Sequence, residues 1–127
     1  MPKKKILLID DEVDFRELSK ARLEANGYDV VALSDGKNAL EHIRADKPDG
    51  VLLDIMMPGI DGLSVLKEIR RDYPSLPVFL ITAFSNTERR EIARKFNASE
   101  FILKTDDLQT EIKNMTALID IAAKQKK

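Results

Sequence analysis

Short apolar runs and amphipathic stretches alternate five times along these 127 residues. Ile6 to Ile9 is a continuous apolar run that empties into Asp10, Asp11 and Glu12; a run this short, apolar on both faces, reads as a buried strand. Phe15, Leu18, Ala21 (or the stem of Arg22) and Leu23 then recur at helical spacing from about Asp14 to Asn26, and Gly27 stops the helix. Tyr28 to Leu33 predicts a second strand. A helix opening at Asp35-Gly36 carries Ala39, Leu40 and Ile43 and leaves at Pro48. Val51 to Leu53 predicts a third strand that delivers Asp54 at its tip, with the breakers Pro58 and Gly59 close behind. Asp61 is placed to cap a helix whose stripe is Leu63, Leu66 and Ile69, closed by Pro74. Val78 to Ile81 is a fourth strand ending at Thr82. Ser85 and Glu88 have capping-box spacing ahead of Ile92, Ala93 and Phe96. Phe101 to Leu103 is a fifth strand ending at Lys104, and a last helix from about Asp107 to Ala123 gathers Leu108, Ile112, Met115, Ile119 and Ala122 on one face.

Strand and helix in strict alternation predict an α/β fold: a single doubly wound, five-stranded parallel sheet with five helices, because parallel strands need crossover connections. All C-terminal strand ends then lie along one edge. Four of the five carry residues of catalytic type: Asp10 and Asp11, Asp54, Thr82 and Lys104. Three carboxylates brought together raise one another's pKa unless a cation sits among them. Mg²⁺ suits such an edge, since it takes a few carboxylates, waters and a phosphate oxygen rather than an all-protein cage. A carboxylate can also attack phosphorus and form an acyl phosphate while a metal shields its charge. Thr82 would offer a hydroxyl to one phosphoryl oxygen and Lys104 an ammonium to another. The edge reads as a phosphoryl acceptor.

Composition narrows the alternatives. Residues are 34% charged with a net charge of -1, so there is no case for a nucleic-acid surface, and the lysines at both ends read as solvated termini. Zero cysteines exclude a disulfide framework, a thiolate zinc site and a thiol nucleophile. Neither a signal core nor a membrane-length apolar run is present, and a cytoplasmic protein without direct nucleic-acid or membrane contacts is expected. His42, the single histidine, falls among charges and is expected at the surface.

The segments ILLIDDE, LLDIMMPGIDG, FLITA and EFILK, in this order and at these separations, resemble the receiver domain of bacterial-type response regulators over essentially the whole chain. The resemblance implies a flavodoxin-like strand order 2-1-3-4-5. It implies one receiver domain over residues 1–127 with no output domain in this chain, acting in a two-component phosphorelay. Asp54 would be the phosphoacceptor, charged by a histidine kinase, a phosphotransfer protein or a small acyl phosphate. Asp11 and Asp54 would bind Mg²⁺ directly, the Met56 carbonyl would add a ligand, and Asp10 would act mainly through water. Thr82, Ala83 and Lys104 would meet the phosphoryl group. Thr82 and Phe101 would form a switch that remodels the face of the fourth helix, fifth strand and fifth helix toward a downstream effector, an output domain or a second copy. Such a protein is not an enzyme beyond taking part in its own phosphorylation and dephosphorylation.

Two other function classes compete with this one. A phosphorylation-independent pseudo-receiver usually lacks one of the acids or the lysine, and all are present here. A haloacid-dehalogenase-type phosphatase would carry a second Asp two residues after its nucleophile, where Met56 stands.

This chain departs from the family pattern at two places, the residue after Lys104 and the pair Met56 and Phe84, while Phe101 occupies the family's aromatic switch position. Lys104 precedes Thr105 instead of the usual cis-proline, and a cis bond before a non-proline costs roughly 2.5 to 4 kcal/mol. Met56 and Phe84, which border the site, are both apolar and predict a slow loss of phosphate. Phe101 lacks the hydroxyl of a Tyr and can bury more readily.

Overall fold

The computed structural model describes residues 4–57, 60–83, 87–104 and 107–125, and for 57, 60, 108 and 122–125 the backbone alone. Five strands, β1 (Lys5–Ile9), β2 (Asp29–Leu33), β3 (Gly50–Asp54), β6 (Val78–Thr82) and β7 (Glu100–Leu103), pair in parallel in the order β2-β1-β3-β6-β7. Counted along the chain, this is the expected 2-1-3-4-5. Five helices connect or follow them: α1 (Val13–Ala25), α2 (Ala39–Asp46), α3 (Gly62–Asp72), α4 (Thr87–Lys95) and α5 (Leu108–Gln125).

The continuous apolar runs are explained by burial on both faces. Successive side chains of a strand point to opposite sides. Leu7, Ile9, Val51, Leu53, Val78 and Leu80 therefore enter one core with Ile43, Leu66 and Ile69 of α2 and α3. Ile6, Leu8, Leu52, Phe79 and Ile81 enter the other, under Leu23 of α1 and Ile112, Met115 and Ile119 of α5.

The structure corrects several expected elements. On α1 the inward line is Phe15, Ser19 and Leu23, at four-residue steps, with Ser19 buried and Leu18 47% exposed. The second helix begins at Ala39 rather than at Asp35-Gly36, because Asp35 Oδ1 accepts the Lys37 N–H at 2.9 Å and spends that turn on a local bond. Tyr28 is buried just ahead of β2, which starts at Asp29. The breakers Pro58 and Gly59 lie outside the described residues. Around them a two-residue ribbon appears that the apolar pattern did not predict: β4 (Met56–Met57) antiparallel to β5 (Ile60–Asp61). Asp61 then caps α3 as expected, its Oδ1 accepting the Leu63 N–H at 3.0 Å. Ser85, the expected cap of α4, lies outside the described residues.

The register places the functional edge. Ile9 pairs with Leu33 and Leu53, Asp54 with Ile81, and Thr82 with Leu103. Asp10, Asp54, Thr82 and Lys104 consequently leave the sheet at neighbouring positions of one edge.

Candidate functional site

Each acid is fixed by its own backbone surroundings. Asp10 continues the ladder beyond β1 through its N–H to the Leu33 carbonyl at 3.1 Å. Its Oδ1 accepts the Glu12 N–H at 2.9 Å, and its carbonyl accepts from Arg16 at 2.8 Å. Asp54 ends β3, and its Oδ1 accepts the Met56 N–H at 2.9 Å. The chain after Asp54 folds back so tightly that a Cβ on Gly62 would overlap the backbone of Ile55 and Asp54, which only glycine avoids. Lys104 is carried to the edge by its N–H, which donates to the Thr82 carbonyl at 2.8 Å.

These elements gather the residues expected from sequence. Asp10, Asp54 and Thr82 are buried, Asp11 is half-buried, and one carboxylate oxygen from each of Asp10, Asp11 and Asp54 lies within 4.8 Å of the others. Lys104 Nζ stands among the acids, 2.8 Å from Glu12 Oε1, 3.1 Å from Asp10 Oδ2 and 3.3 Å from Asp54 Oδ2. The ammonium donates to Asp10 Oδ1 at 3.3 Å, and the buried Asp10 Oδ2 meets it as an ion pair without an aligned hydrogen bond. Three clustered carboxylates with one such oxygen are a donor set that fits a hard, oxygen-seeking cation such as Mg²⁺.

The electrostatics agree with that fit. Burial pushes the Asp54 carboxyl up to about 7 and the neighbouring Asp10 adds to the rise, against the opposing Met56 N–H and Lys104. Burial pulls Lys104 down, but the hydrogen bonds to Glu12 and Asp10 and the charges of Asp10 and Asp54 outweigh it, so the ammonium is held above its ordinary range. Lys104 is thus a permanent cation, whereas Asp54 needs further positive charge to be fully ionised at neutral pH.

Around this centre Ala83 is exposed and Met56 is 42% exposed. Phe101 is half-buried with the Arg90 guanidinium 4.7 Å from its ring centroid. His42 is partly exposed and 3.4 Å from Asp46. Phe84 and the Lys104–Thr105 peptide lie outside the described residues. Two neighbours of Lys104 lie outside the expected set: Glu12, its nearest acid, and Phe15, whose ring centroid is 4.8 Å from Nζ. Glu12 was visible as the third acid of the DDE run, but Phe15 had only the signal of a helix core position. A cleft of about 530 Å³, lined in part by Ile43, Tyr73 and Leu76, lies at the opposite edge of the sheet, away from the acids.

A doubly wound sheet of this order, with clustered acids and a lysine along one edge, is the architecture of receiver domains. The family described as "Response regulator receiver domain" matches residues 6–116, and the chain belongs to it. It is 35% identical over 126 residues to the probable transcriptional regulator ycf27 of Porphyridium aerugineum, covering 97% of this chain and 52% of that protein. The chain spans about half the length of the curated relatives it matches. Among solved structures, the Francisella response regulator 1452 receiver domain is 30% identical, with a TM-score of 0.82 and coverage of 98% and 99% of the two chains. A CheY-like receiver domain protein from Methanospirillum hungatei, 22% identical, shares the fold at a TM-score of 0.91, covering 98% of this chain and 99% of that one. No helix among the described residues is long and apolar enough to cross a membrane.

Proposed function

We propose that this chain is a phosphoacceptor in a cytoplasmic two-component relay, with Asp54 taking a phosphoryl group from a histidine kinase, a phosphotransfer protein or a small acyl phosphate. The observation that carries the reading is the burial of Asp54 within 4.8 Å of Asp10 and Asp11, with the Lys104 ammonium 3.3 Å from it. A carboxylate oxygen of Asp54 attacks phosphorus as the bond from phosphorus to the donor's nitrogen or oxygen breaks, leaving an acyl phosphate. Asp10, Asp11, Asp54 and the Met56 carbonyl are the residues that would hold Mg²⁺. When bound, Mg²⁺ supplies the charge that keeps the acids ionised and screens Asp54 from the incoming phosphoryl group.

The chain's own groups do the rest. The Met56 N–H orients the Asp54 carboxylate, Lys104 offers an ammonium to one phosphoryl oxygen, and Thr82 offers a hydroxyl to another. Exposed Ala83 leaves the approach open. Met56 has no group to hydrogen-bond an attacking water, which favours a long-lived phosphoryl group. Movement of Thr82 toward that group, followed by inward rotation of Phe101, would then remodel the face of α4, β7 and α5 for an effector, an output domain or a second copy.

Intact-mass measurement after incubation with acetyl phosphate and Mg²⁺ tests the proposal. The parent protein is expected to gain one phosphoryl group and Asp54→Asn none. A parent that binds Mg²⁺ without gaining mass would be a phosphorylation-independent interaction module, and gain by both proteins would place the acceptor elsewhere.

A further inference from the structure

Lys104 has to be held in place without the cis-proline that follows this lysine elsewhere in the family. Its backbone N–H donates to the Thr82 carbonyl at 2.8 Å, and a four-carbon stem separates that anchor from the ammonium. A free lysine stem has many rotamers, and ordering it carries an entropic cost. Besides Asp10 and Asp54, two groups from the start of α1 restrain the far end. Glu12 Oε1 is the nearest of the three acids to Nζ, at 2.8 Å against 3.1 and 3.3 Å for Asp10 and Asp54. The Phe15 ring presents its face to the same ammonium at 4.8 Å.

The two restraints differ in kind from the contacts to Asp10 and Asp54. Those two acids are buried at the centre of the cluster, and their charge is shared with whatever cation sits there. Glu12 is 57% exposed in its side chain, outside the three-acid set. Its contact with Nζ can persist when a phosphoryl oxygen displaces the Asp54 contact. Lys104 has three N–H donors, so it can keep Glu12 and Asp10 and turn the third toward the phosphoryl group. The Phe15 ring, 4.8 Å from Nζ, favours the position that keeps the ammonium over its face.

Resting on the phosphoacceptor reading, we infer that Glu12 and Phe15 are positioning residues: they form a two-sided cradle that aims the Lys104 ammonium at the phosphoryl group on Asp54. Glu12 supplies the hydrogen-bond acceptor and Phe15 the ring face. Neither touches the reacting atoms; both act through Lys104.

The test is the saturation kinetics of Asp54 phosphorylation by acetyl phosphate at fixed Mg²⁺, followed by intact mass, with Mg²⁺ affinity and urea stability measured on the same variants. Glu12→Ala is expected to lower the maximal rate about ten- to a hundredfold, the upper end being the scale of a reacting group misplaced by about 1 Å. Glu12→Gln, which keeps an oxygen acceptor at the same reach, should recover most of that loss. Phe15→Leu should slow the reaction about two- to fivefold, as expected for losing one cation–π contact, and Phe15→Tyr should restore it. Mg²⁺ affinity should change less than about twofold throughout, since neither side chain joins the acid cluster. A Glu12→Ala protein that reacts at the parent rate, or faster, overturns the inference, the latter by making Glu12 a competitor for Lys104. So does a Gln variant no better than Ala, or a rate loss that follows urea stability alone. If the parent itself gains no phosphoryl group, the phosphoacceptor reading has failed and the positioning role falls with it.

Discussion

Lys104 Nζ lies 3.3 Å from Asp54 Oδ2, and still the Asp54 carboxyl is pushed up to about 7 by its burial and by Asp10. In the unfolded chain the same carboxyl titrates near its ordinary value of 3.8. Between those two values the folded protein binds the extra proton, so stability falls as pH rises. The penalty is absent below about 4, grows through the window and is complete above about 7. Added cation should offset it. Urea denaturation in EDTA at pH 5 and pH 7.5 should show the parent losing on the order of 1 kcal/mol or more, with Asp54→Asn losing clearly less and Mg²⁺ restoring the parent at pH 7.5. Equal pH slopes in the two proteins would assign the loss to other groups.

Gly62 makes a second prediction. A Cβ there would stand 2.5 Å from the Asp54 carbonyl oxygen and overlap Ile55 Cα, and both obstacles are backbone. Backbone cannot rotate away as a side-chain tip can. Gly62→Ala should cost about 1 to 3 kcal/mol, the range for overpacking, and should slow acetyl-phosphate labelling because relief requires Asp54 to move. A shift of the urea midpoint without a change in slope would show that the native packing is what suffers. A midpoint equal to the parent's would mean that the loop from Ile55 to Gly62 yields freely.

Arg70 ties the ends of two helices together. Its guanidinium donates to the carbonyls of Tyr73 (3.1 Å) and Leu76 (2.5 Å) after α3, and to those of Phe96 and Asn97 (both 2.8 Å) after α4. Burial lowers its pKa, but a guanidinium stays charged. Arg70→Met should destabilise by about 3 kcal/mol, since each stranded acceptor costs about 1 kcal/mol or more and some of the four will find water. Arg70→Lys should recover less than half, because a single ammonium cannot span four carbonyls set around a planar fork. Urea denaturation reads both, and amide exchange at Asn97 and Ala98 should accelerate ahead of the sheet. A Lys variant as stable as the parent would reduce the interaction to its charge.

The sheet was legible because its strands are buried on both faces. Ile6 to Ile9, Val51 to Leu53 and Val78 to Ile81 are apolar without interruption, and each ends at a residue with chemistry. Helices were legible where a stripe was wide, as on α3 and α5, and less so on α1. There Leu18 suits a core by type but lies off the line of Phe15, Ser19 and Leu23, and it faces out. The β4–β5 ribbon follows from how the chain turns back after Asp54, which no two-residue apolar pattern encodes.

Order along the chain was enough to bring Asp10, Asp11, Asp54, Thr82 and Lys104 to one edge, because parallel strands joined by crossovers place all their C-terminal ends together. Side-chain reach was beyond it. That Lys104 meets Glu12 before Asp54, that Phe15 turns its ring to the ammonium, and that Arg70 gathers four carbonyls depend on rotamers and on the spacing between packed elements. Those are settled only when the whole core closes, since contacts between residues tens of positions apart leave no local periodicity to read.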